Sequence, residues 1–236
     1  MRRFYHDGGQ GGGGKIAVMN RDKWCGLAVV VGAVGLVVTM VLHPTGGDFE
    51  HIARMAAVAK PVHALAIASM LVSLWGFLGL TARLREAGDG WPALAAVAGY
   101  VTLAFGSVAG VGAAALNGLA TPAYVRRLLD EGADAATLDA GREVIAYAFQ
   151  LNNDLSRVLI VCLAVAVLLW SAAIVATRLL PRWVGGLGLA ASLVALVLFF
   201  AGAIGIDVHD FGLFIFGYAA WSVVAGLLLA ADRPAT

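Results

Sequence analysis

Charge is scarce in this chain. Of its 236 residues, 16 are Lys or Arg and 15 are Asp or Glu, so 13% are charged where a soluble globular domain carries about 25%. That scarcity, with 61% hydrophobic residues and a mean hydropathy of +0.86, excludes an ordinary water-soluble globule. A net charge of +1 supplies neither a basic field for nucleic acid nor an acidic interaction arm. Cysteine is nearly absent as well. Cys25 and Cys162 each lie inside an apolar run without CxxC spacing, which excludes a disulfide framework or a thiolate metal site and leaves them as packing residues. The glycine run "GGQGGGG" lacks the following Lys-Ser/Thr of a phosphate loop, no HExxH zinc motif occurs, and the alternation of a membrane β-barrel is missing.

What the sequence has is long hydrocarbon runs. About 20 apolar residues cross a ~30 Å bilayer core, and six such runs stand at roughly 24–42, 62–82, 92–116, 156–177, 183–206 and 211–230. Each must be helical, because a segment in lipid satisfies its backbone hydrogen bonds internally. The predicted fold is therefore an all-α polytopic membrane protein, a bundle of six transmembrane helices occupying residues 24–231. A glycine-rich flexible leader (1–23) precedes it and a short tail (232–236) follows. Met19 offers an internal start, so residues 1–18 need not belong to the functional chain. The first run has no cleavage site before "HPTGG" and reads as a retained signal anchor. Recurrent Gly and Ala, as in "GSVAGVGAAALNG", predict close helix approach.

Loop charge sets the expected orientation. Ten of the 16 basic residues fall before run 1, between runs 2 and 3, between runs 4 and 5, and after run 6; six, offset by acidic residues, fall in the opposite loops. The positive-inside rule then puts both termini in the cytoplasm of a bacterial-type inner membrane, with Trp24, Trp91 and Trp183 at that interface. The likeness of "TARLREAGDGW" and "ATRLLPRW" is what this rule produces in unrelated hairpins, and it carries little weight for internal duplication.

On the opposite face the polar residues gather. His43 ends run 1, His63 begins run 2 after Pro61, and His209 lies in the "DVHD" turn between runs 5 and 6. Three imidazoles at similar height predict a divalent transition-metal site, with haem a weaker alternative because these histidines sit high in the bundle. Asn117, Asn153, Asp154, Arg157, Asp207 and Asp210 are the expected ligand-binding groups beside them. Gln150, Asn153 and Arg157 fall at i, i+3 and i+7 of one helical face, and polar groups at the mouth of a span are costly against lipid. His51 reads as a surface residue. Residues 122–140 read as a short amphipathic helix and a turn, and the 119–145 loop as the largest outer element.

These features predict an integral membrane protein that binds a metal ion or small polar ligand at its outer face. The same residues serve the alternative of a membrane enzyme, and the outer loop or the helices serve that of an accessory subunit contacting a membrane-protein partner. The only other expected contact is membrane lipid. No charged residue lies at the middle of a run, which ranks proton-coupled transport lower.

Overall fold

The computed structural model describes residues 11–44 and 47–231, with side chains from residue 21 onward; the first ten residues of the expected leader and the tail from Asp232 lie outside the described residues. Among the described residues the chain is all-helical, in the order α1 (Gly11–Val41), α2 (Phe49–Ala87), α3 (Trp91–Ala115), a π-helical turn (Leu116–Ala120), α4 (Thr121–Asp130), α5 (Ala135–Thr177), α6 (Arg182–Phe200) and α7 (Val208–Ala230). Six of these stretches are long and apolar enough to cross a membrane, with α3, the π turn and α4 forming one continuous 40-residue stretch. α1 reaches back to Gly11, into the stretch read as leader.

Two helices far exceed a span. α2 has 39 residues and α5 has 43, about 58 and 65 Å at 1.5 Å per residue, twice the hydrocarbon thickness. α2 starts at Phe49 and not at 62 because Asp48 caps it, accepting the His51 backbone N–H at 2.8 Å, and the helix runs on through Pro61. α5 starts at Ala135 for the same reason, with Asp134 accepting the Thr137 N–H. The projecting ends are covered by α4, whose Pro122 falls just after the π turn. Val125 and Leu128 of α4 are buried against Phe49 of α2 and Ile145 of α5. This small apolar cluster makes a headpiece at the end of the bundle opposite the start of α1.

α1 packs between α2 and α7, α3 lies between α2 and α5, and α6 leans on α5 with lesser contact to α7. At the end where α1 begins and α7 ends, hereafter the terminal end, the core is dense. The Phe77 ring stacks on Trp170 with centroids 4.5 Å apart and on Trp221 at 6.3 Å. Both indoles are satisfied: Trp170 Nε1–H is shared between Thr81 Oγ1 and the Ala96 carbonyl at 3.1 Å each, and Trp221 Nε1–H donates to the Val184 carbonyl at 3.2 Å. Small residues let backbones touch. A side chain at Gly26 would collide with the Gly226 carbonyl, and one at Gly188 with Ser171 Oγ. Ser69 and Ser73 are buried the same way against Gly35 and Gly32.

Charge closes this end. Arg21 grips Glu86 through both guanidinium NH groups at 3.0 Å, and Arg83 lies 2.8 Å from Asp22, a carboxylate only 5% exposed. The pairs fasten α1 to α2. Glycine-linked α2–α3 and the α5–α6 turn, where Arg178 takes a left-handed φ of 58° before Pro181, lie at the same end.

Candidate functional site

Between the aromatic core and the headpiece the helices enclose a cavity of about 670 Å³, within the range of about 300–1,000 Å³ typical of small-molecule sites. α1, α2, α3 with the π turn, α4, α5 and α7 all reach it, and the spacings show why. α2 contributes Ile52, Met55, Ala59, His63, Ala66 and Met70, steps of three or four residues that keep one stripe inward. α3 and the π turn contribute Gly110, Ala113, Ala114 and Asn117; α5 contributes Phe149, Asn152, Asn153, Ser156 and Leu159. The end of α1 supplies Leu36, Thr39 and Met40, with His43 just past it; α4 adds Thr121 and Pro122; and α7 supplies Phe211 and Ile215, with its capping residue Asp207.

The imidazoles of His43 and His63 meet edge to face in this wall, ring centroids 4.9 Å apart. His63 is 4% exposed, and its Nδ1 lies 2.8 Å from the Ala59 carbonyl. A carbonyl only accepts, so Nδ1 carries the proton and Nε2 keeps its lone pair for whatever occupies the cavity. The π turn serves this ring. Gly118 sits so close to it that any Cβ there would overlap the imidazole, and the widened turn sets Asn117 on the cavity wall beside it. Such turns within helices recur at functional sites. His43 Nδ1 is buried without a hydrogen-bond partner. Burial, and then the neighbouring His63 ring, push the His43 pKa below its ordinary value, favouring the neutral ring.

Of the groups expected from sequence, the structure places His43, His63, Asn117, Asn153 and Asp207 on this cavity. His209, Asp210, Asp154 and Arg157 do not line it. His209 is exposed. Asp207 caps α7, its Oδ1 accepting the backbone N–H groups of His209 and Asp210 at 2.9 and 3.0 Å, and the Asp210 and His209 amides hold its carboxyl below the usual range. Asp210 accepts from the Gly205 N–H at 2.6 Å. Asp154 takes Arg157 at 2.5 Å and Gln150 at 3.1 Å in an exposed network on another face of α5. The working face of α5 is thus rotated by about one residue, some 100°, from the Gln150–Asn153–Arg157 face chosen from sequence. It adds Asn152 and Ser156, which that face left out.

The arrangement can hydrogen-bond and accept a proton, but it is a sparse metal cage. Among the described residues no group of three or more His, Cys, Asp or Glu is placed to hold a metal ion, whereas zinc sites use three or four protein ligands. Nor does a hydroxyl hydrogen-bond either imidazole among the described residues, as an activated nucleophile requires. No protein-family model, curated protein or solved structure matches the chain.

Proposed function

We propose that this is a multi-pass inner-membrane protein whose His43–His63 cavity binds a small organic molecule bearing hydrogen-bonding groups. The observation that carries this reading is the make-up of the cavity wall: His63, whose Nδ1–H goes to the Ala59 carbonyl so that Nε2 is left as an acceptor, stands in it among largely apolar side chains. Side-chain amides of Asn117, Asn152 and Asn153 share the same wall. A mostly apolar cavity with a few convergent polar groups is the usual form of a small-molecule site. The ten-to-six division of basic residues supports a cytoplasmic terminal end and an outward-facing headpiece.

The test is native mass spectrometry of protein purified in mild detergent, followed by denaturing extraction. Wild type should release a stoichiometric organic molecule. Asn153→Leu, which removes an amide but keeps an apolar wall, should release at least tenfold less. A wild-type protein carrying no such molecule from either detergent or nanodiscs would count against the reading.

A further inference from the structure

The cavity is layered. Seven residues separate His43 from Leu36, His63 from Met70, Asn117 from Gly110, and Asn152 from Leu159, and every one of these residues lines it. In each case the second residue is nearer the aromatic core, because α1 and α3 run toward the headpiece whereas α2 and α5 run away from it. Four helices therefore repeat one pattern, a polar group at one level and an apolar one about 10 Å deeper. The deep part is walled by Leu36, Met40, Ala66, Met70, Leu159 and Ile215 without a charged side chain. A small polar ligand would fill the belt and leave this well unused.

From this layering, and resting on the ligand-binding reading above, we propose that the occupant is an uncharged amphiphile. Its hydroxyl- or amide-bearing head sits among His43, His63, Asn117 and Asn153, and its apolar chain fills the well toward Met70 and Leu159. An extended chain advances about 1.2 Å per bond, so the well takes about eight bonds. The head is uncharged because no Lys or Arg lines the cavity, and its one carboxylate, Asp207 at the rim, already accepts two backbone N–H groups. Neutral imidazole and side-chain amides offer acceptors and donors together, which suits hydroxyl groups.

The experiment uses the full chain in lipid nanodiscs and a monooctanoylglycerol analogue with a diazirine at the chain end. Irradiation should label the segments containing Met70 and Leu159. Unlabelled monooctanoylglycerol should compete, with monoacetylglycerol, octanoate and octyltrimethylammonium each at least tenfold weaker. Asn153→Leu should cut labelling by a similar factor; the competition arms stand without it should that variant not fold. Equal competition by octanoate or octyltrimethylammonium overturns the uncharged head. Equal competition by monoacetylglycerol overturns the chain-in-well claim while leaving cavity binding intact. Label confined to outward residues such as Val108 and Leu213, or to Met55 and Phe149 above the belt, overturns the proposed seating, and the mass-spectrometric extraction then decides the cavity reading separately.

Discussion

The two halves of the bundle are built from the same residue types and used differently. At the terminal end, the buried rings of Phe77, Trp170 and Trp221 stack and both indoles are hydrogen-bonded, glycines bring backbones into contact, and charges pair across helices at the edge, Arg21 with Glu86 and Asp22 with Arg83. At the headpiece end the helices stand apart around a cavity whose wall mixes His43, His63 and three asparagines with apolar side chains. α6 shows the transition within one helix: its buried residues, Val184, Gly185, Gly188 and Ser192, all fall in its first 11 positions. One half is densely packed and the other holds the cavity.

The contrast is broken most severely by Trp170→Ala. It removes a fully buried ring from the Phe77 stack and strips Thr81 Oγ1 and the Ala96 carbonyl of a donor. The expected loss is about 3–5 kcal/mol, read as a shifted midpoint in denaturant titration of mixed micelles. A loss below ~1 kcal/mol would show that the terminal half is not the stabilising one. Gly118→Ala comes next. Its Cβ must displace the His63 ring, at about 1–3 kcal/mol for overpacking, and ligand retention should fall with it because Nε2 moves. Retention at the wild-type level would separate His63 from binding.

How far this division was legible depends on which physical signal each residue sends. The six spans are a matter of length and apolarity, and the sequence carries both. The long α2 and α5 are announced by Asp48 and Asp134, but a cap is informative only once the helix behind it is accepted, and Pro61 argues locally against extending α2. His43, His63 and Asn117 could be placed at one level by counting residues, since rise per residue is constant. Azimuth is harder: on α5, Gln150, Asn153, Asp154 and Arg157 send a strong polar signal, yet the Gln150–Asp154–Arg157 network satisfies itself in the open. The weaker stripe of Phe149, Asn152, Ser156 and Leu159 is the one that faces inward. The π turn had no signal in composition. It is visible only in the close fit of Gly118 to the His63 ring.

Acidity sharpens the comparison further. The His43 pKa is depressed in the folded protein, so between its folded value and the ordinary value near 6.5 the unfolded chain binds a proton that the native one does not. Stability is then full above about pH 6.5 and falls as pH drops through that window. The lining groups that face His43 add no compensating anion except Asp207 at the rim. Denaturation midpoints followed from pH 7.5 to 5 should decline in wild type, and His43→Gln should flatten the decline. A wild-type profile that stays level, or a variant profile as steep as wild type, would contradict the buried neutral ring.

The smallest effect belongs to the groups that look most functional in the sequence. Arg157 and Asp154 are both about half exposed, 48% and 54% for their side chains, and exposed ion pairs contribute about 0–1 kcal/mol. His209 is exposed on the first turn of α7, and its backbone amide, not its ring, is what Asp207 holds. Arg157→Gln and His209→Ala should therefore leave the denaturation midpoint nearly unchanged and the extracted ligand at wild-type stoichiometry, where Asn153→Leu removes it. Metal analysis of the same preparations closes the other route: a three-histidine centre requires His209, so stoichiometric zinc, copper or iron in wild type that disappears in His209→Ala would replace the organic ligand with a metal. Ligand retained in both variants, with loss confined to substitutions on the cavity wall, would fix the site to the His43–His63 face and leave the exposed polar network of α5 as surface.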